Sequence, residues 1–254
     1  MNNSIIPICC CVYGDNGVGK SYTVANTCRK PALILWTDPI RPEQALREAI
    51  VDQKVKVKSI SQYGELNVLL NDLTSEYSKQ IPENRFQTVV LDSLTFADID
   101  YMNDVIETEG GRGHHKELPQ SASPGNYGTL SRMLERTARS LSVLSRYTDV
   151  IVICNERTEV VRYDKEGNPV ETYTFPLLQG QAFPRIMGGF FNLVGRMSRE
   201  ITEDLNGGVT IVRELKFAGS NIKSKYQGRY LEAHPTIRGV NFAELFDSIQ
   251  KGGK

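Results

Sequence analysis

The segment GDNGVGKS, residues 14–21, constrains the fold more than any other stretch of the chain. It matches the pattern G-x-x-x-x-G-K-[ST], follows the apolar run IIPICCCVY, and precedes a stretch of helical character. Glycines at such a junction let backbone N–H groups wrap around a polyanion, because glycine has no Cβ and tolerates left-handed dihedral angles. The first turn of the following helix adds a partial positive charge. The segment therefore predicts a strand, a phosphate-binding loop and a helix in succession.

The residues of this loop have distinct predicted roles. Lys20 is expected to reach the β- and γ-phosphates of a nucleoside triphosphate, and the Ser21 hydroxyl to ligate Mg²⁺. ATP is the expected nucleotide by default, since nothing in the loop distinguishes the base. The predicted nucleotide-binding residues are Gly14, Asp15, Asn16, Gly17, Val18, Gly19, Lys20, Ser21 and Tyr22. An accidental glycine-rich turn is the alternative, which the flanking strand and helix patterns disfavour.

A second acidic position lies in TVVLDSLT, where an apolar run leads into Asp92. An acid at the carboxyl end of a strand can hold Mg²⁺ directly or through water, so Ser21 and Asp92 form the predicted metal site. The alternative is that Asp92 ends the strand and caps the next helix, together with Ser93 and Thr95.

The general base stays open between two acids. Asp38 ends the run LILWTD and can orient the attacking water, although it also suits a turn before Pro39. Glu156 ends DVIVICNE and competes with Asp38 for the same role. The neighbouring Asn155 can sense the γ-phosphate through its amide, or can serve as a capping residue.

Continuous apolar runs separated by helical patterns predict an α/β fold with a mostly parallel central sheet covered on both faces. These runs are residues 5–13, 32–36, 87–95 and 149–156, joined by an alternating edge strand at 55–60 and a helix at 65–80. After residue 156 we expect antiparallel strands, which begin with a hairpin around DKEGNP. No linker divides the chain, so a single domain over residues 1–254 is expected.

Composition limits the partners and the compartment. Thirty Lys and Arg balance thirty Asp and Glu, so any nucleic-acid contact must come from a local basic patch. The five cysteines have no zinc-ligand spacing and are odd in number, which predicts buried, reduced thiols and a cytoplasmic protein. Apolar runs are far shorter than the ~18 residues of a membrane span, so no membrane association is expected.

Five segments occur in the order found in RecA-like ATPase cores: GDNGVGKS, LILWTDP, FQTVVLDSLT, NYGTLSRMLERTARSL and VIVICNE. With PLLQGQAFPRIMGGFFNLVGRMSRE, they resemble the small phage-encoded RecA-like ATPases, including the Sak-type single-strand annealing proteins. The resemblance implies a RecA-like P-loop NTPase core that hydrolyses ATP and assembles on single-stranded DNA as a homo-oligomeric ring or filament. It also implies a single-strand-binding protein as partner, and annealing or recombination in the host cytoplasm as the activity.

The same resemblance implies three further features. Lys223 and Lys225, in NIKSKYQGR, would act on a neighbouring subunit's nucleotide as trans-acting cations, unless they belong to an ordinary solvated face. DNA-binding loops would lie at 108–126 and 157–190. The first region contributes Arg112, His114, His115 and Lys116, and the second contributes Arg157, Arg162, Tyr163, Lys165, Tyr173, Phe175, Phe183 and Arg185.

Several of these residues have simpler explanations. The adjacent histidines His114 and His115 are a poor metal site without further ligands. Phe175 and Phe183 can stack bases, but packing of the hairpin onto the core is preferred. A helix over 128–147 is predicted to expose Arg132, Arg136, Arg139 and Arg146 toward DNA, a neighbouring subunit or solvent.

Three classes of function follow from the sequence. The first is a DNA-dependent ATPase that anneals or pairs strands. The second is a nucleotide-dependent switch or assembly module whose turnover does not respond to DNA. A small-molecule kinase is disfavoured, because the 108–126 segment offers Arg112 as its one lid arginine.

Overall fold

The computed structural model describes residues 6–51, 54–110, 122–203 and 209–252. The strands are β1 Cys9–Gly14, β2 Ala32–Trp36, β3 Val55–Ser59, β4 Thr88–Asp92, β5 Asp149–Tyr163, β6 Pro169–Pro176, β7 Leu193–Glu203, β8 Val209–Lys216 and β9 Thr236–Arg238. The helices are α1 Lys20–Thr27, α2 Pro42–Val51, α3 Tyr63–Tyr77, α4 Leu94–Gly110, α5 Pro124–Leu144, α6 Ala182–Ile186, α7 Arg229–Ala233 and α8 Phe242–Gln250. Single 3₁₀ turns cover Pro82–Asn84 and Met187–Phe190.

The strands form one sheet in the order β3-β2-β4-β5-β1-β7-β8-β9, with β6 paired to the outer half of β5. Strands from β3 to β7 run parallel to their neighbours in this order, whereas the β7–β8, β8–β9 and β5–β6 pairs are antiparallel. The predicted α/β class, the edge position of β3 and the antiparallel C-terminal strands are confirmed. The carboxyl ends of β1, β2 and β4, and the point near Asn155 where β5 leaves the parallel sheet, lie at one edge of this sheet.

Each sheet face buries its own layer of helices, because successive strand residues point to opposite sides. In β1, Cys9, Cys11 and Tyr13 join the cluster that packs against α3, α4 and α5. Cys10 and Val12 join the other cluster, which packs against α1, α2, α7 and α8. Burying a Leu or Phe side chain in either layer stabilises the fold by roughly 1.5–3 kcal/mol. Continuous apolar strands are thus explained by burial on both faces.

The loop predicted over 108–126 was wrong in its bounds. Helix α4 extends to Gly110, and α5 begins at Pro124. Ser123 caps α5, since its hydroxyl accepts from the Asn126 N–H and Asn126 Oδ1 accepts from the Ser123 N–H at 2.6 Å. Residues 111–121, which carry the basic and histidine side chains predicted there, lie outside the described residues.

The β5–β6 pair confirms the predicted hairpin, although β5 is longer than the sequence suggested. It continues as one strand from the buried Asp149 to the exposed Tyr163, so the parallel sheet and the hairpin share a strand. The five cysteines are free and buried, as predicted. None of the helices formed by described residues combines the length and hydropathy that a bilayer span requires.

Candidate nucleotide-binding site

The loop between β1 and α1 depends on its glycines. Gly17 and Gly19 have φ angles of +75° and +93°, which L side chains rarely adopt. A Cβ on Gly14 would lie 2.3 Å from the carbonyl oxygen of Met197, and one on Gly19 would lie 2.4 Å from Arg213 Nε. The three glycines of the motif are therefore required by backbone conformation and by close contacts with the neighbouring strands.

Lys20, the first residue of α1, turns back onto the loop. Its Nζ donates to the carbonyl oxygens of Gly14 at 2.8 Å and Asp15 at 2.9 Å. The side chain is 7% exposed, and this burial lowers the pKa of Lys20, while the negative charge of Asp92 opposes the shift. The buried ammonium group is therefore held at the loop by two neutral acceptors that a phosphate oxygen can replace.

Asp92 ends β4 and faces Ser21 of α1. The Ser21 hydroxyl lies close enough to the Asp92 carboxylate to lower its pKa, and the Asp92 Oδ2 atom is buried without a partner among the described residues. Burial raises the pKa of Asp92 to about 6, against the opposing effects of the Ser21 hydroxyl and the Lys20 charge. A hydroxyl and a carboxylate with an unsatisfied oxygen fit a hard cation such as Mg²⁺. The predicted metal pair is therefore brought together.

No group of three or more His, Cys, Asp and Glu side chains that could hold a metal ion is present in the described parts of the chain. A cation at Ser21 and Asp92 would therefore take its remaining ligands from nucleotide phosphates and water. This arrangement is typical of Mg²⁺, which keeps several water ligands and is often bound by one or two carboxylates.

Asp38 follows β2, next to the end of β4. Between them, the Thr37 hydroxyl donates to the Ser93 carbonyl oxygen at 2.6 Å and accepts from the Ser93 N–H at 2.9 Å. Asp38 Oδ1 accepts from the Ile40 N–H at 2.8 Å, and its charge contributes to the raised pKa of Asp92. The structure thus brings Asp38 near the predicted metal pair. Thr37, which joins the two strand ends, was missed because its role depends on strand order.

Asn155 lies directly beside Gly14 in the β1–β5 register. Its N–H donates to the Thr95 hydroxyl at 2.9 Å, and its carbonyl oxygen accepts from the Leu177 N–H at 2.7 Å. The backbone of this residue is therefore fixed at the edge of the phosphate loop, where a γ-phosphate sensor is expected.

Glu156 is engaged by an arginine that the sequence reasoning did not single out. Arg196 on β7 donates from Nε and Nη2 to the two Glu156 carboxylate oxygens at 2.8 and 2.9 Å. The Glu156 side chain is 11% exposed. Because a bidentate pair occupies both oxygens, Glu156 is poorly placed to accept a proton from water. Arg196 lies opposite Tyr13 only because β7 pairs with β1, which the sequence pattern does not reveal.

Lys223 and Lys225 contact their own chain. Lys223 Nζ donates to the Arg185 carbonyl oxygen at 3.2 Å, and Lys225 Nζ donates to the Gly188 carbonyl oxygen at 2.8 Å. These carbonyls belong to α6 and the 3₁₀ turn that follows it. The trans-acting role of the two lysines stays a prediction, and it requires that they exchange these acceptors for a neighbour's nucleotide.

The second predicted DNA region contains a cavity of about 240 Å³. Its lining includes Arg157, Glu159, Tyr173, Phe175, Arg185 and Lys223. Phe183 packs into the core, where it is 1% exposed, as the sequence favoured. Phe175 is half-buried and lines the cavity instead. The four predicted arginines are exposed: Arg132, Arg136 and Arg139 lie on α5, and Arg146 lies just beyond its last residue, Leu144. Arg139 pairs with Glu135.

Comparison with protein families agrees with this geometry. Residues 6–237 match the family AAA_24, described as an AAA domain, which covers most of the chain. A comparison with curated proteins found no match. The chain therefore belongs to the AAA domain family AAA_24 and is a nucleotide-binding P-loop ATPase.

Proposed function

We propose that this ATPase couples ATP hydrolysis to the binding of single-stranded DNA, and that it promotes strand annealing or recombination as a homo-oligomer. The Sak-type proteins, which the sequence resembles, are the basis for the annealing activity. The observation that carries the DNA-binding part is a basic and aromatic cavity on β5, the strand that pairs with Gly14 of the nucleotide loop.

The cavity has the chemistry that single strands require. Tyr173 and Phe175 stack with ring centroids 6.0 Å apart, and the Arg157 guanidinium lies 5.0 Å from the Phe175 centroid. Arg185 and Lys223 add two cations, while Glu159 pairs with Arg157. Proteins that bind single strands without strong sequence preference combine cations for the backbone with aromatic faces for the bases. The lining, with three cations and one carboxylate, supports an anionic polymer as ligand.

The position of the cavity supports a connection with the nucleotide. Arg157 comes two residues after Asn155, which lies beside Gly14. Helix α4 begins just after Asp92, and its Thr95 hydroxyl donates to the Leu177 carbonyl oxygen at 3.0 Å. Further along α4, Asp98 Oδ2 accepts from the Gln179 N–H at 2.6 Å. The segment that leads into the cavity is therefore fastened to the helix that follows the predicted metal ligand.

The chemistry of hydrolysis follows from the residues around the loop. Lys20 and the loop N–H groups would bind the phosphates, while Ser21 and Asp92 would hold Mg²⁺. Asp38 would orient the attacking water and take its proton, because the Glu156 carboxylate is occupied by Arg196. When bound, Mg²⁺ supplies positive charge that stabilises the transferring phosphoryl group.

A nucleotide-dependent switch is the second candidate, and one observation favours it. The Glu156–Arg196 pair removes one of the two candidate bases, and Asp38 already accepts a backbone N–H. Hydrolysis would then be slow whether or not DNA is present, and the bound nucleotide would serve mainly to set an interaction with a protein partner.

The ATPase rate with and without a single-stranded oligonucleotide, over a salt series, separates the two candidates. The DNA-dependent enzyme should be stimulated at low salt, and the stimulation should fall steeply as phosphate contacts are screened. Phe175→Ala and Arg185→Gln should lose the stimulation, and Lys79→Gln, an exposed charge beyond α3, should keep it. An ATPase rate that DNA does not change at any salt concentration would reject the proposal and favour the nucleotide-dependent switch.

A further inference from the structure

The β7–β8 ribbon packs along the phosphate loop. In the antiparallel register Met197 pairs with Leu215, and the next pair outward on the same face is Arg199 with Arg213. Met197 and Leu215 are buried in the same core cluster as Val18 of the loop, and the Met197 carbonyl approaches Gly14 closely enough to exclude a Cβ there. The face of the ribbon that carries the two arginines is therefore the face turned toward the loop.

Both arginines hydrogen-bond to the loop backbone. Arg199 Nη1 donates to the Gly17 carbonyl oxygen at 3.2 Å, and Arg213 Nε donates to the Val18 carbonyl oxygen at 3.2 Å. The Arg213 side chain also occupies the space in which a Cβ of Gly19 would lie. Three successive loop residues are thus in contact with the ribbon. Neither arginine was predicted as a site residue from the sequence.

The arrangement is electrostatically unfavourable without compensation. Like charges directly opposite each other on paired strands destabilise a sheet. Here the two loop carbonyls accept from the guanidinium groups, and Arg213 also lies 5.3 Å from the centroid of the Tyr22 ring. Tyr22 is fixed in turn by its hydroxyl, which donates to Glu48 Oε2 at 2.8 Å. A nucleotide held in the loop would add the phosphate charge that best offsets this pair.

We propose that Arg199 and Arg213 are positioning residues that hold the phosphate loop in its nucleotide-binding shape and thereby set the affinity for nucleotide. They contact carbonyl oxygens, whereas phosphates bind to the N–H groups of such a loop, so they act through the loop. Holding a loop in its bound conformation lowers the entropy lost on binding. ADP and ATP both place phosphates in the loop, so both affinities depend on the two arginines. The inference rests on nucleotide binding alone and goes beyond the proposed coupling to DNA.

The test uses the full chain with Arg199→Gln, Arg213→Gln, Arg213→Lys and the control Lys79→Gln. Titration calorimetry with Mg²⁺ gives the Kd for ATP and for ADP, and steady-state kinetics give kcat and KM. Each glutamine variant should raise both Kd values and KM about tenfold, the loss of roughly one charge-assisted hydrogen bond, while kcat stays within about twofold. Arg213→Lys should recover affinity, because a single N–H donor and the charge are retained. Lys79→Gln should match the wild type.

Unchanged Kd values in both glutamine variants would overturn the inference. A loss confined to ATP, with ADP binding intact, would also overturn it, because the arginines would then act on the γ-phosphate. So would a fall in kcat at constant KM, or an Arg213→Lys protein that folds but binds no better than Arg213→Gln. A wild-type protein that binds nucleotide without responding to DNA would reject the proposed function and leave this inference standing.

Discussion

The ammonium nitrogen of Lys20 lies 2.8 Å from the carbonyl oxygen of Gly14, so the seventh residue of the loop bonds the first. The same nitrogen reaches the Asp15 carbonyl at 2.9 Å. Both acceptors are neutral. Hydrogen bonds to charged phosphate oxygens are shorter and stronger, so a bound triphosphate would compete well for this donor.

Replacing Lys20 with alanine should remove nucleotide binding or turnover. The change deletes a buried cation at the phosphate position, and loss of such a group typically costs about 10²–10³-fold in kcat. ATPase assays and titration calorimetry measure the effect, with Lys79→Ala as a control that deletes an exposed lysine beyond the end of α3. An alanine variant that hydrolyses ATP at the wild-type rate would mean that the phosphate loop is wrongly assigned.

Replacing Asp92 with asparagine should weaken Mg²⁺-dependent nucleotide binding and leave metal-free binding largely intact. The pKa of the wild-type carboxyl is raised to about 6 by burial, and Mg²⁺ needs the ionised form. The apparent Mg²⁺ affinity of the wild type should therefore fall as pH drops below about 6, approaching tenfold per pH unit. Because the terminal phosphate of ATP also takes up a proton at about pH 6, Mg²⁺ titrations of ATP binding between pH 5 and 8 should show a steeper slope in the wild type than in the Asp92→Asn variant.

Asp38→Asn should lower kcat with little change in KM, and Glu156→Gln should have the smaller effect on kcat. The reason is that both Glu156 oxygens are bonded to Arg196, whereas Asp38 bonds one backbone N–H. Loss of a general base typically reduces the rate about 10²–10⁴-fold. Steady-state kinetics on the two variants show which replacement lowers kcat more. If Glu156→Gln is the more damaging to kcat, the assignment of Asp38 is wrong.

Stability should fall as pH rises from about 4 to about 7, in part because of Asp98. Burial raises the pKa of this 1%-exposed carboxyl to about 7, above its ordinary 3.8, so the folded state keeps a proton that the unfolded chain has released. Below about pH 4 the protonated carboxyl makes its full contribution to the free energy of unfolding, up to about 4 kcal/mol relative to high pH. This contribution is lost as the pH rises through about 7. Chemical denaturation at pH 5 and 8 should show a smaller difference in Asp98→Asn than in wild type or in the exposed Asp72→Asn.

Mixing two inactive proteins tests the predicted trans-acting cations. Lys223→Ala lacks a cation and Asp92→Ala lacks the metal ligand, so mixed assemblies would contain some interfaces with both groups intact. Recovery of ATPase activity on mixing is expected. Mixed proteins that assemble by light scattering and stay inactive would count against the role of Lys223.

The phosphate loop and the central strands could be predicted because their signals are local. The glycines at 14, 17 and 19 are required by backbone conformation and close contacts, and continuous apolar runs follow from burial on both faces. The predicted pair of Ser21 and Asp92 also meets, since the carboxyl ends of parallel strands share an edge. At these positions the local sequence pattern and the order of the strands in the sheet indicate the same residues.

The residues that sequence reasoning missed depend on which strands become neighbours. Thr37, Arg196, Arg199 and Arg213 reach the site only because β2 pairs with β4, and β7 pairs with β1 and β8. An arginine in an alternating strand has no local feature that distinguishes a site residue from a solvated one. The end of α4 was placed too early for another reason. Its last residues are polar or glycine, a composition that is typical of loops.

A structure determined with Mg²⁺ and a nonhydrolysable ATP analogue would show whether residues 14–21 hold the nucleotide. The triphosphate is expected within the 14–21 loop and Mg²⁺ between Ser21 and Asp92, with Lys20 Nζ moved from the Gly14 carbonyl to the phosphates. An analogue bound elsewhere, or a Lys20 that keeps both carbonyl bonds while the nucleotide is present, would contradict this expectation.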